Sequence, residues 1–593
     1  MRSLTVAVDG NTPTGDTVSL TTVAINIPAG KSKSLVSFKL PSQDNTSYLL
    51  QVAVLENDIP QATEAIGLDV GDSWTNTPRY AALTNFNPSD QTSKDNISDD
   101  IATLNKFNIN ATMYYDGYYR PQNTIPSDSY QTWIGEDVSK SLLQKGVDTN
   151  HQYGMQAMLY NMINATTGTP DDNDTAMSNS DLFGSTITRQ DGTKGIASKM
   201  GVYRTGKCNE CPVPGTFDGL GEQATYNMLG NFNDRDDVDH KVQYYYNPAD
   251  PDWQNYIGNI MKNSLALIGF DGWQGDTIGD IYGVPYEDKG TNNNGFHTMD
   301  TYASFINAVK PTYFADKTLG MNAVNYGGQD KLNSSKADFN YAELWQSNEP
   351  TYEDLAQCIR TTASASSKPL IVPSYMYHDW YNSGSSDFPS QFKDATILIK
   401  DAVIFANGGA PMELVDNGYQ LPTEYYPDTR THYKIMMSDT LGNPDNGLLR
   451  KMYDFVTAYS SLLYPANHTK NLVYITDSGN NHVNSSTADA GKVYDITTNQ
   501  NGVDVLQLVN LTGCSNNNWQ INNQVDENSK NITPTGQLII KMYTNNTGTL
   551  YGASYEDGMR NEYSYTTGSD SNGSYITFTI DSLDLWSIFY ITK

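Results

Sequence analysis

Cysteine is scarce: four in 593 residues. A disulfide framework is therefore excluded as the source of stability. Cys208 and Cys211 form a pair in Lys207-Cys208-Asn209-Glu210-Cys211-Pro212, but Cys358 and Cys514 lie far away in sequence. A four-ligand zinc site or a redox pair needs a context this stretch lacks, so no metal and no cofactor are expected. Long apolar runs are also missing. No stretch approaches the roughly 20 apolar residues of a membrane span, and Met1 to Val6 carry no apolar signal core. Positive charge is the third shortage: 37 Lys and Arg stand against 67 Asp and Glu, a net charge of −30. Such a surface repels the phosphates of nucleic acid but is indifferent to a neutral polymer. No repeat of fixed period is present.

Aromatic residues make up 11% of the chain, and tyrosine dominates them with 41 copies. A tyrosine offers a flat apolar face and a hydroxyl, which suits sugars, although strands use it too. The length allows three to five ordinary domains, or fewer if one is a barrel. Residues 1–75 alternate apolar and polar positions in short runs, as in Leu4-Thr5-Val6-Ala7-Val8, Leu35 to Leu40 and Tyr48 to Val52. Such runs predict a small β-sandwich. From 461 to 593 the same pattern returns, as in Val503 to Val509 and Tyr575 to Ile580, and predicts a second sandwich.

Between them, residues 76–460 alternate short apolar strands with helical stretches, the pattern of a (β/α)8 TIM barrel. Eight candidate strands can be counted. They are Tyr80 to Asn85, Ala111 to Asp116, Met155 to Asn161, the stretch ending at Asp276, Leu319 to Ala323, Phe339 to Glu343, Leu370 to Tyr375 and Ala410 to Leu414. Asn161 to Ala249 reads as a loop-rich insertion after the third strand, placed to wall a cleft. Its clusters Asp171-Asp172-Asn173-Asp174 and Asn233-Asp234-Arg235-Asp236-Asp237 lack the spacing of a calcium loop.

The densest chemistry lies in Gly269-Phe270-Asp271-Gly272-Trp273-Gln274-Gly275-Asp276-Thr277-Ile278-Gly279-Asp280, after the apolar run Leu265 to Ile268. It reads as a buried strand delivering three carboxylates, a Trp and a Gln to one rim. Sugar chemistry uses that mixture: carboxylates for the glycosidic bond, an aromatic face for the ring, amides for hydroxyls. Asp276 ends the fourth strand and Glu343 the sixth, so both point to the mouth where barrels keep their active sites. A nucleophile must stay ionised among polar neighbours, which suits Asp276. A general acid must keep its proton, which suits Glu343 between Tyr341 and Trp345. Asp271, Asp280, Glu349 and Glu413 are competing carboxylates; Asp271 stands nearer the strand start, and Glu413 is placed to bind a hydroxyl. Other candidates for the cleft, from position alone, are Tyr115, Asp116, Asn161, Trp273, Gln274, Asn322, Trp345 and Tyr375, with His378, Asp379 and Trp380 following the seventh strand.

The motif at Gly269 to Asp280, followed 67 residues after Asp276 by Glu343 in Tyr341 to Trp345, resembles glycoside hydrolase family 66, and within it the endo-dextranases. The resemblance spans nearly the whole chain. It implies an immunoglobulin-like β-sandwich at 1–75, a catalytic (β/α)8 barrel at 76–460 and a C-terminal β-sandwich at 461–593. It further implies a retaining mechanism with Asp276 as nucleophile and Glu343 as acid/base, acting on internal α-1,6-glucosidic bonds of dextran and releasing isomalto-oligosaccharides. A secreted or cell-surface monomer is expected, trimmed of the leader and wall anchor that full-length relatives carry. The family also holds cycloisomaltooligosaccharide glucanotransferases, which insert a carbohydrate-binding module after the seventh strand. Only about 34 residues separate Tyr375 from Ala410 here, too few for that module. The expected products are therefore linear. A non-catalytic glucan-binding protein is the alternative from another class, and a barrel hydrolase of a different α-glucan is a third.

Overall fold

The computed structural model describes residues 2–15, 17–27, 37–39, 46–90, 96–132, 135–167, 186–188, 194–196, 202–204, 225–227, 242–277, 279, 286–288, 297–345, 349–389, 392–414 and 447–593. Cys208, Cys211, Asp280, both acidic clusters and most of the expected insertion after the third strand lie outside them. Eight parallel strands close a barrel: β1 Tyr80–Leu83, β2 Ala111–Tyr114, β3 Gln156–Met162, β4 Gly272–Asp276, β5 Thr318–Asn322, β6 Phe339–Tyr341, β7 Leu370–Val372 and β8 Ala410–Leu414. A helix follows each strand in turn: α1 Ile97–Asn105, α2 Lys140–Gln152, α3 Pro251–Ile268, α4 Tyr302–Tyr313, α5 Gln329–Asn333, α6 Tyr352–Ser366, α7 Asp394–Ala406 and α8 Leu448–Ala458. All eight strands overlap the stretches expected from sequence, β3 ending one residue later, at Met162, and β5 starting one residue earlier, at Thr318. Leu265 to Ile268, the apolar run before the motif, is the last turn of α3. Asp250 caps that helix by accepting from Asp252 N–H, Pro251 opens it, and Gly269 closes it at φ 91°, a left-handed value that glycine takes without strain.

Side-chain alternation along the strands sorts the barrel into an interior and a helix-facing exterior. The interior fills from the base with aromatics. Trp74 stacks on Tyr80 at 5.3 Å, Tyr80 meets Phe339 at 6.0 Å, and Tyr341 meets Tyr80 edge-on at 6.4 Å. Gly320 of β5 makes room for this column, because a Cβ there would run into the Phe339 ring. The exterior is apolar and buried; Trp273 packs there against Phe305 and Phe314.

At the N-terminal end, Arg2–Asn11, Thr17–Ile27, Thr46–Glu56 and Ile59–Val70 form one antiparallel sheet. Where a sandwich would supply a second sheet, helix α8 packs on the strands Thr46–Glu56 and Ile59–Val70. Ser37 to Lys39, inside an expected strand, are not in one. The C-terminal end holds two antiparallel-rich sheets, of four and six strands, enclosing Ile475, Leu506, Ile540, Phe578 and Phe589. Their strand Trp586–Ile591 is buried on both faces. Phe589 and Ile591 point into the sandwich, while Trp586 packs against Phe455 of α8 at 4.8 Å. Among the described residues no helix is long and apolar enough to cross a membrane.

Gly320→Ala is expected to lower stability by about 1–3 kcal/mol through overpacking, read by thermal unfolding. Adding Phe339→Leu should recover part of the loss; an unchanged Tm for Gly320→Ala would contradict this packing.

Candidate active site

Strand alternation also decides which polar side chains reach the mouth. Along β3, Met158, Tyr160 and Met162 share the inward face and Asn161 the outward one. Along β4 the inward set is Gly272, Gln274 and Asp276. On the stretch that begins with β6, Phe339, Tyr341 and Glu343 climb the interior in steps of two, so Glu343 stands one step above the aromatic column. Asp276 and Glu343 are both half-buried at the C-terminal end of the barrel.

One amide joins them. Asn322, the last residue of β5, donates through Nδ2 to Asp276 Oδ1 at 2.8 Å and to Glu343 Oε2 at 2.9 Å. Its Oδ1 accepts from the backbone N–H of Glu343 at 3.1 Å. Three residues on, Asn325 takes a left-handed φ of 53°, tolerated by Asn better than by most side chains. From there its N–H donates to the Glu343 carbonyl at 2.8 Å, and its Oδ1 accepts from Trp345 N–H at 3.2 Å. The β5 rim thus fixes Glu343 by both its backbone groups and its carboxylate. The remaining carboxylate oxygens have phenolic partners: Tyr160 donates to Asp276 Oδ2 and Tyr375 to Glu343 Oε1, both at short range.

The two carboxyls are not equivalent. Burial pushes Asp276 above its ordinary value, and hydrogen bonds from Tyr160, Asn322 and Thr277 N–H oppose it. Burial and then the neighbouring charge of Asp276 push Glu343 up to about 8, against weaker opposition from Asn322 and the Trp345 indole. Burial thus raises both carboxyls, and the charge of Asp276 adds a further rise at Glu343. Tyr160 keeps its own proton, because burial first and then the charges of Asp276 and Asp116 raise its hydroxyl.

Around this centre the rings are close. Tyr115 lies 4.6 Å from Tyr160, Trp345 lies 4.2 Å from Tyr375, and His378 meets Trp345 edge-on at 4.9 Å. Of the residues expected from sequence, Asp276, Glu343, Asn322, Tyr115, Asp116, Trp345 and Tyr375 come together here. Others do not reach the mouth. Trp273 is fully buried on the helix-facing side, its indole donating to the Asn161 carbonyl at 3.1 Å. Asn161 also points outward, to the Pro121 carbonyl and Met261 of α3, each at 3.0 Å. Gln274 is inward but buried one step below Asp276. Glu413 pairs with Ala81 in the barrel register, and its side chain lies outside the described residues. Asp271 sits at the opposite end of the barrel, accepting from Ala157 N–H at 2.8 Å and meeting His151 at 2.9 Å. Trp380 is buried against Tyr377 and Phe388. Tyr160 was not expected; the period of two along β3, counted against Asn161, is the signal that finds it.

A closed parallel barrel with two carboxyls side by side at its C-terminal mouth is an arrangement that glycoside hydrolases use. Residues 14–590 match the family described as Glycosyl hydrolase family 66, and the chain belongs to that family. It is 28% identical to a dextranase of Streptococcus salivarius, over 96% of this chain and 71% of that protein. It is 21% identical to a cycloisomaltooligosaccharide glucanotransferase of Niallia circulans, over 96% of this chain and 66% of that one. In fold it is similar to a Paenibacillus sp. cycloisomaltooligosaccharide glucanotransferase solved with cycloisomaltoheptaose. The TM-score is 0.77 at 19% identity, over 99% of this chain and 95% of that one.

A carboxyl raised by folding stabilises the fold while protonated, and that contribution is lost as pH rises toward the folded value. The Tm of Glu343→Gln minus that of the parent chain is therefore expected to grow as pH rises from 4.5 toward 8. A difference that stays flat or shrinks would contradict the burial of Glu343.

Proposed function

We propose that this chain is a retaining endo-dextranase, cleaving internal α-1,6-glucosidic bonds of dextran to linear isomalto-oligosaccharides. The observation that carries the mechanism is the shared amide of Asn322. Two hydrogen bonds to one nitrogen limit how far the bonded oxygens of Asp276 and Glu343 can separate. The two bonded oxygens therefore lie within two hydrogen-bond lengths of each other, a closeness that favours the about 5–5.5 Å carboxyl spacing of a retaining enzyme over the about 6.5–9.5 Å of an inverting one.

In this reading the ionised Asp276 attacks C1 while Glu343 passes its proton to the leaving oxygen. Water then bonds to C1 as Glu343 takes its proton, and the C1–O bond to Asp276 breaks to free the carboxylate. Tyr160 and Asn322 hold the attacking carboxylate, and Tyr115, Trp345 and Tyr375 offer aromatic faces to sugar rings. The choice of dextran rests on the similarity to the streptococcal dextranase. Extracellular action fits a polymeric substrate.

A glucanotransferase producing cyclic oligosaccharides is the second reading, favoured by the fold of its relatives. Against it, the described residues between Tyr375 and Ala410 hold a short helix, His378–Asn382, and α7, with no further sheet. An early-time product profile decides between them. Dextran is expected to yield linear isomalto-oligosaccharides of mixed length, with starch and pullulan untouched; cyclic products in quantity would overturn the hydrolytic reading. Asp276→Asn and Glu343→Gln are each expected to lower turnover by several orders of magnitude while still folding, and near-normal activity in either would refute its role.

A further inference from the structure

The acid/base side of the site leans on a segment of a different domain. After β6 and β7 the chain runs into two rim stretches, Glu349 to Tyr352 and Met376 to Tyr377. Both are met by Asn517 to Ile521, which belongs to the C-terminal sandwich. Trp519 is fully buried between them. Its indole N–H donates to the Glu349 carbonyl at 2.5 Å, and its backbone N–H donates to the Pro350 carbonyl at 3.2 Å. Tyr352 N–H donates to the Asn517 carbonyl at 2.9 Å, and Thr351 bridges Asn518. Two residues past Trp519, Ile521 N–H donates to the Met376 carbonyl at 2.8 Å. Met376 directly follows Tyr375, whose hydroxyl holds Glu343. Further along, Glu527 accepts from the Tyr377 hydroxyl at 3.0 Å and from Lys393 N–H at 3.2 Å. On the nucleophile side Tyr160 comes from β3, and Asn322 from β5 supports both carboxyls.

We infer that Trp519 is a positioning residue for general-acid catalysis. It locks the strap Asn517 to Ile521 onto the β6 and β7 rims and so holds Tyr375, and through it Glu343, in line with the leaving oxygen. The inference rests on the reading of Glu343 as acid/base. Fixing a proton donor to a fraction of an ångström matters because a misplacement of about 1 Å costs on the order of 100-fold. The step concerned is glycosylation: Asp276 bonds to C1, the C1–O bond breaks, and its electron pair takes the proton of Glu343. A 4-nitrophenolate leaves without that proton. A loosened strap therefore slows dextran cleavage and spares an aryl glycoside.

The test compares kcat/KM on dextran with kcat/KM for nitrophenolate release from 4-nitrophenyl α-isomaltotrioside. Trp519→Ala is expected to lose on the order of 10- to 100-fold on dextran, and less than about 3-fold on the aryl substrate. Trp519→Phe, which keeps a ring but lacks the donor, should show the same ordering with a smaller loss, and it carries the test if the alanine variant does not fold. Equal losses on both substrates in a folded variant, or no loss on either, would overturn the inference. Glu343→Gln, run alongside, should show the same ordering more strongly. If it loses both substrates alike, the acid role of Glu343 fails, and the strap is not what has been refuted.

Discussion

The site depends on one side-chain amide. Asn322 gives both hydrogens of its nitrogen to two different carboxyls and takes the backbone N–H of one of them on its oxygen. An Asn amide has two donors and one oxygen acceptor, so all its groups are committed. An aspartate there would supply neither donor and would add a further negative charge. The bridge sets how close the carboxyls stand, and closeness sets their difference: the charge of one raises the proton affinity of the other. Burial raises both, and the charge of Asp276 with the uneven set of hydrogen bonds separates their environments.

Everything beneath the bridge serves to keep it still. The aromatic column of Trp74, Tyr80, Phe339 and Tyr341 fills the barrel to the level just under Glu343, so the carboxyls stand on a packed floor. From the side, Tyr160 and Tyr375 close the oxygens that Asn322 leaves open. From outside the barrel, the C-terminal sandwich grips the β6 and β7 rims, and its strand Trp586–Ile591 is shared between two cores. A catalytic geometry set to within half an ångström needs this layered support.

Much of this was legible in the sequence, for a physical reason. Parallel barrel strands are short, largely apolar runs, and most of the eight end in a polar or aromatic residue. The carboxylates at Asp276 and Glu343 stood out because they follow such runs. What the sequence hid is direction. Trp273 and Asn161 look like mouth residues by position, yet each lies on the odd step of its strand and turns to the helices, while Tyr160, one residue before Asn161, turns inward. Leu265 to Ile268 has the composition of a strand, and only the Asp250 and Gly269 caps mark it as helix. The strap from Asn517 to Ile521 is a contact across about 170 residues, and nothing local announces it.

The direct test of the account is the anomeric form of the first product, followed by NMR from the earliest seconds of dextran cleavage before mutarotation intervenes. Two carboxyls held by one amide predict a double displacement, so the new reducing end appears first as the α-anomer and the β-anomer follows only as the solution equilibrates. A β-anomer released first would mean inversion, and would contradict the spacing that Asn322 imposes.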